Sequence, residues 1–306
     1  MAGIKILKKS VVTLGVFDGV HRGHQEIFRQ VVRRAKAIRG TSVVYTFDPH
    51  PVKVLAPDAC PLMINTLAQR VELISSQGIQ KVVVERFTRS FARQSPHDFF
   101  HRTLVRRLHP QEIFVGYDFT FGVHRSGTIE HLEGFGRETG IRVTIVPARF
   151  FGETLVSSSR IRQLLVQGDL PKAEELLGRP YFIEGKVVRG RGIGGKQLGL
   201  HTANLKTEND LILPAGVYST TVILDGRRFK GVSNIGPNPT FGPGPLSIET
   251  HLFNFRKNIR GKKIRLEFLR KIREEITFAT PADLARQIRN DIQSAKQYFR
   301  AHEEDE

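Results

Sequence analysis

The chain has no tryptophan, two methionines and a single cysteine, Cys60, in 306 residues. One cysteine excludes an internal disulfide framework and any metal site built on several thiolates, and it fits a reducing cytoplasm. No apolar run approaches the roughly 20 residues that a membrane-spanning helix needs. Lys5, Lys8 and Lys9 precede an apolar stretch at 11–17 in the manner of a secretion signal, but Asp18 cuts the stretch short and no small-residue cleavage site follows. Internal repeats and low-complexity tracts are also missing. Acidic residues are scarce, 30 Asp and Glu against 47 Lys and Arg, which leaves a net charge of +17. The basic excess is spread over both halves instead of forming a stripe interleaved with aromatics. It therefore steers anions in general and argues against a dedicated nucleic-acid surface. What remains is an ordinary globular composition, 40% apolar and 25% charged, at a length that suggests two domains.

Residues 1–180 alternate short β-branched runs with helical patterns. Strands are expected at 11–16, 42–47, 81–84, 112–115 and 142–146, each short, apolar and bounded by turn residues. Helices are expected at 25–38, 67–76, 96–108 and 129–139, with two more at 158–166 and 171–177. Such alternation implies a parallel sheet covered by helices on both faces. From Phe182 onward the pattern becomes short alternating segments at 182–188, 216–224, 228–233, 247–252 and 263–268. Turns rich in Gly, Pro and Asn separate them, which suggests a small antiparallel barrel. A helix at about 281–299 and an acidic tail, Glu303–Glu306, close the chain. The boundary falls near 178–180.

Four polar or aromatic clusters follow the expected strands of the first half, at the sheet edge where open α/β folds bind ligands. Gly15-Val16-Phe17-Asp18-Gly19-Val20-His21-Arg22-Gly23-His24 joins the first strand to its helix. Its glycines let backbone approach a ligand, and the helix start offers N–H groups and a positive dipole to phosphate. Phe47-Asp48-Pro49-His50-Pro51 follows the second strand and Gly116-Tyr117-Asp118-Phe119-Thr120-Phe121-Gly122 the fourth. Ser157-Ser158-Ser159-Arg160-Ile161-Arg162 opens a helix after the fifth. Taken singly, each has a plainer explanation. A histidine pair three apart is more often structural, the serines read as a helix cap, and Phe119 and Phe121 read as core. No third ligand at metal spacing accompanies His21 and His24, which argues against zinc.

Together, the HxGH box and the later Ser-Ser-x-x-Ile-Arg box resemble the nucleotidylyltransferase superfamily. With the other motifs added in order, nearly the whole chain resembles the bacterial bifunctional riboflavin kinase/FMN adenylyltransferases. The resemblance implies a Rossmann-like α/β nucleotidylyltransferase domain over 1–180 and a riboflavin kinase β-barrel with a C-terminal helix over 181–306. It implies FAD biosynthesis in two ATP-dependent steps, riboflavin to FMN and FMN to FAD, in the cytoplasm. In the first domain it gives His21, His24 and Arg162 the ATP phosphates, with Gly15, Phe17, Gly23, Asp118, Ser158 and Ser159 completing the ATP site. Pro49, His50, Pro51, Phe119 and Phe121 are assigned to flavin.

The second half carries the matching barrel motifs: a glycine-rich stretch ending Gly199-Leu200-His201-Thr202-Ala203-Asn204, then Gly231–Phe241, then Ile248-Glu249-Thr250-His251-Leu252. By the same resemblance, Gly195, Lys196, Thr202 and Asn204 bind ATP, Thr202 and Asn204 hold Mg²⁺, Glu249 orients or deprotonates the ribityl hydroxyl, and Arg273 and Glu275 hold flavin. The chain departs from the family pattern at Lys196, Leu200 and His201, where arginine, phenylalanine and proline are usual. It also departs after Glu249, where Arg256, Lys257 and Arg260 occupy a usually acidic stretch. These departures motivate a second reading, an FMN adenylyltransferase whose barrel binds flavin as a kinase-impaired regulatory module. A basic nucleic-acid-binding protein is the remote third. The expected partners are riboflavin, FMN and ATP, with no membrane, no nucleic acid, and self-association left open.

Overall fold

Short runs of β-branched residues form the five strands β1 (Ser10–Leu14), β2 (Thr41–Asp48), β3 (Lys81–Arg86), β4 (Pro110–Gly116) and β5 (Arg142–Val146). In the computed structural model, which describes residues 9–189, 202–210, 213–236 and 247–302, they pair in the order β3-β2-β1-β4-β5. Every neighbouring pair is parallel. The chain runs outward from β1 in both directions, so the crevice between β1 and β4 is a topological switch point, where such sheets bind ligands. Successive side chains point to opposite faces. Val11, Val44 and Phe114 pack on one face with Ile27, Phe28 and Val31 of α1 (Arg22–Ala37) and Ile74 of α2 (Leu67–Ser76). Val12, Val43, Tyr45, Ile113 and Val115 pack on the other with Phe99, Phe100, Leu104 and Leu108, and with Leu132 of α3 (Ile129–Thr139). The expected helix at 96–108 forms, but its middle, Phe99–Val105, widens into a π-helix whose buried residues include both phenylalanines.

The chain parts into two compact units, Met1–Ser158 and Ser159–Glu306. That division precedes the change of sequence pattern near 178–180, because helices α4 (Ser158–Gln167) and α5 (Leu170–Leu177) count with the second unit. Within that unit α5 lies against strands β8 (Tyr181–Val188) and β13 (Lys263–Arg273), burying Leu170, Ala173, Leu176 and Leu177. A two-stranded hairpin, β6 (Phe150–Phe151) and β7 (Thr154–Leu155), belongs to the first unit.

The second unit is a closed barrel in the order β10-β11-β12-β9-β8-β13. Its remaining strands are β9 (Thr202–Thr207), β10 (Gly216–Leu224), β11 (Arg227–Gly236) and β12 (Ser247–Leu252), and each neighbouring pair is antiparallel. Its interior is partly polar. Thr220, Ser233 and Thr250, all fully buried, share a chain of hydroxyl hydrogen bonds of 2.8 Å each across β10, β11 and β12. Outside the barrel, Ala295 and Phe299 of the C-terminal helix α6 (Pro281–Ala301) close over Val217, Val232 and Phe253.

Candidate functional sites

The loop after β1 is shaped by steric demands that only certain residues meet. Phe17 adopts a left-handed backbone, φ 55°, which is rare for a bulky aromatic, and Val20 follows at φ 42°. Strain of this kind collects at functional sites. A Cβ on Gly15 would lie 3.0 Å from the Phe17 ring, so glycine makes room for that ring. Phe17 in turn meets His24 edge-on, with centroids 5.1 Å apart. His21 is the N-cap of α1, its Nδ1 accepting the backbone N–H of His24 at 3.4 Å. The two imidazoles stack with centroids 3.5 Å apart at an angle of 21°. A Cβ on Gly23 would approach the His21 ring to 3.2 Å. Thus both histidines sit together at a helix N-terminus, beside the switch point.

Asp18 holds this loop in place, a role the motif reading passed over. Its carboxylate is 2% exposed and accepts the backbone N–H groups of Ile64, at 3.1 Å, and Asn65, at 3.2 Å. Its carbonyl accepts the Ser158 hydroxyl at 2.8 Å. The aspartate was visible in the sequence, but its partners are more than 40 residues away.

The remaining assigned residues of the α/β site have mixed surroundings. His50 caps the short helix Pro51–Leu55, Nδ1 accepting from Val52 N–H at 3.1 Å, with Pro51 at the first helical position and Pro49 just before the cap. Asp118 is exposed just beyond β4. Phe121 is 6% exposed and packs on Phe99 at 5.7 Å, which makes it core. Half-buried Phe119 stacks on it at 5.6 Å. Ser159 and Arg162 lie further along α4 and count with the second unit.

On the barrel, strand alternation brings the expected kinase residues to one face. Ala203 and Leu205 of β9, like Ile248, Thr250 and Leu252 of β12, are buried, so Thr202, Asn204, Glu249 and His251 face outward. Register sets Asn204 opposite Glu249 and Thr202 opposite His251, and sets Asn234 of β11 on the other flank of Glu249. Directly opposed residues hold their Cβ atoms about 4.5–5.5 Å apart. The row continues toward Glu275, whose carboxyl is pushed up by burial against the opposing pull of an Asn234 hydrogen bond and the Arg273 charge. A Cβ on Gly236 would lie 2.8 Å from Glu275 Oε1, so glycine there leaves room for this carboxylate. Arg273 is committed to anchoring α6: its guanidinium grips Asp291 through Nε at 3.0 Å and Nη2 at 2.8 Å. Gly195 and Lys196, with Leu200 and His201, lie outside the described residues.

Two family models cover the two halves, FAD synthetase at residues 4–160 and riboflavin kinase at residues 177–299. The chain belongs to the bifunctional riboflavin kinase/FMN adenylyltransferase family. Relatives bearing that name are 34% identical in Haemophilus influenzae, over 96% of each chain, and 37% identical in Bacillus subtilis, over 95% of this chain and 93% of the relative. A crystallised protein from Streptococcus pneumoniae, named as a macrolide-efflux protein, is 32% identical with a TM-score of 0.85, over 94% of each chain. Among the described residues no helix is long and apolar enough to cross a membrane.

Proposed function

We propose that the chain makes FAD in two steps, phosphorylating riboflavin to FMN on the barrel and adenylylating FMN to FAD on the α/β unit. The observation that carries this reading is the pairing of two ligand-ready constellations with two family models in tandem. The two domains, 1–180 and 181–306, are proposed to divide the labour.

In adenylyl transfer an FMN phosphate oxygen bonds to the α-phosphorus of ATP while the bond to pyrophosphate breaks. The nucleophile is already anionic, so positioning and charge neutralisation dominate. His21 and His24, held together at the start of α1, supply hydrogen bonds where charge builds on the phosphates, and the α1 dipole adds to them. Ser158, Ser159 and Arg162 are proposed to serve the triphosphate and Phe119 the flavin ring. Phe121 supports Phe119 from the core.

In the kinase step the ribityl hydroxyl attacks the γ-phosphorus and ADP leaves. A carboxylate is a weak base for an alcohol, so Glu249 chiefly accepts the hydroxyl's hydrogen bond and aims its oxygen. Thr202 and Asn204 are neighbouring hard-oxygen donors of the kind Mg²⁺ accepts beside phosphate. The described residues contain no group of three or more His, Cys, Asp and Glu that could hold a metal ion. Magnesium there would supply positive charge to the phosphate chain. Riboflavin, FMN and ATP are the proposed partners and the cytoplasm the proposed location, without nucleic acid or membrane.

The test is to incubate the full chain with riboflavin and MgATP and to separate riboflavin, FMN and FAD over time. Both products are expected. His24→Ala should stop at FMN, slowing the second step by about 10²–10³-fold. Glu249→Gln should lose FMN formation by about 10²-fold or more yet convert supplied FMN. Loss of both steps in both variants would refute the two-site assignment. FAD from supplied FMN, with no FMN from riboflavin, would favour the kinase-impaired reading.

A further inference from the structure

Helix α2 carries no residue of any ligand motif, yet its Arg70 is among the largest side chains in the molecule with almost no exposure, 2%. It occupies the apolar stripe of the helix, one turn from Leu67 and one turn from buried Ile74. Its Nη2 donates to the Phe47 carbonyl at 2.8 Å, at the carboxyl end of β2. Burial pulls its pKa down while the carboxylates of Asp18 and Asp48 pull it up. Among the described residues its Nε and Nη1 have no hydrogen-bond partner. A buried cation with an incompletely satisfied fork is costly, and an apolar residue of similar volume would pack the helix at least as well. Packing therefore gives no account of the charge, whereas the neighbours do. Asp18 lies midway along the loop between β1 and α1 and pins Ile64 and Asn65, while Phe47 and Asp48 lead directly into Pro49-His50-Pro51.

We propose that Arg70 is a positioning residue of the adenylyltransferase site: its guanidinium draws the carboxyl ends of β1 and β2 together and so fixes the turn bearing His21 and His24 beside the turn bearing His50. Without it, Asp18 loses its buried counter-charge and both turns gain freedom at the same moment. The role rests on the adenylyltransferase reading for its effect on turnover, but not for its effect on the loops.

The full chain is compared with Arg70→Met, which removes the charge, and Arg70→Lys, which keeps the charge and loses the fork. Hydrogen exchange at the Ile64 and Asn65 amides needs no turnover. It should accelerate by about tenfold in Arg70→Met, with the amides of Val31 and Ala35 in α1 unchanged. In FMN adenylylation, KM for FMN and for MgATP should rise by about fivefold or more, which loss of folded protein alone does not cause. Riboflavin phosphorylation in the same sample should stay within about twofold, and Arg70→Lys should recover much of the lost kcat/KM. Unchanged exchange and KM in Arg70→Met, or a lysine variant no better than methionine, would overturn the proposal. If Arg70→Met does not fold, Arg70→Gln takes its place as the variant that removes the charge: faster exchange at Ile64 and Asn65 supports the role and unchanged exchange overturns it. A wild-type chain that never forms FAD would sink the adenylyltransferase reading while the exchange experiment still judges Arg70.

Discussion

Replacing Asp291 by alanine should destabilise the barrel unit by about 2–4 kcal/mol and leave adenylyl transfer alone. The carboxylate sits on α6 at 4% exposure and accepts from Arg273 Nε at 3.0 Å and Nη2 at 2.8 Å, and from Gln287 Nε2 at 2.9 Å. Arg273 also donates from Nη1 to the Glu274 carbonyl at 2.8 Å. Removing one partner of a buried pair costs about 3–5 kcal/mol. The Arg273 side chain keeps 19% exposure, so water offsets part of that loss and gives the lower figure. The assay is urea inactivation of the full chain, following riboflavin phosphorylation for the barrel and FMN adenylylation for the α/β unit. In Asp291→Ala the phosphorylation midpoint should fall by more than the adenylylation midpoint. Arg273→Met completes a double-mutant cycle, with a coupling energy of about 1.5 kcal/mol or more expected for a charge-assisted, two-pronged contact. A coupling near zero, or equal losses in both activities, would refute the reasoning.

Three further outcomes are expected. Gly236→Ala places a methyl 2.8 Å from Glu275 Oε1; because the far end of a flexible side chain can swing aside, stability should change by less than about 1 kcal/mol. Phosphorylation should nevertheless slow by about fivefold as the carboxylate moves, with FMN adenylylation unchanged, as steady-state kinetics on both substrates will show. Half-buried Glu184 is pushed up by burial but pulled further down by hydrogen bonds from Lys263 and Arg265, leaving its carboxyl below the ordinary range. Its stabilisation is therefore complete above the unfolded pKa of about 4.3 and fades as pH falls through the lower folded value. Thermal unfolding across the acid range should show Glu184→Gln less stable than wild type near neutrality, with the gap closing below about pH 4. Finally, chelating divalent cations should stop FMN formation and magnesium should restore it, measured by chromatography of the flavins.

Much of the architecture was legible because local pattern and burial agree. The strand at 142–146 and the helices at 67–76 and 129–139 form where their spacing predicts. The misses share a cause: the deciding partner is distant in sequence. Thr202–Thr207 reads as the tail of a glycine loop because only Ala203 and Leu205 turn inward, while polar Thr202, Asn204 and Lys206 show the other face. Strand β13 extends past Phe268 because Leu269 and Ile272 pack with the cluster under α6, which a period-two reading of the strand alone does not reveal. Phe119 and Phe121 look identical as letters, and only packing on Phe99 separates core from candidate ring platform. Asp18 stood inside the quoted motif without its role, and Arg70 was hidden as a charge on an apolar helix face.

The hydroxyl chain through Thr220, Ser233 and Thr250 has a consequence for the chemistry outside the barrel. A one-residue slip between β11 and β12 would turn every side chain over, sending Glu249 into the interior and Thr250 to the surface. Burial of the aliphatic residues already opposes such a slip, and the three interlocked hydroxyls add to that because they lose their partners in any other alignment. The dry side of the wall thus works as a vernier for the wet side: the spacing of Asn204, Glu249 and Asn234 is calibrated by atoms that no substrate ever touches.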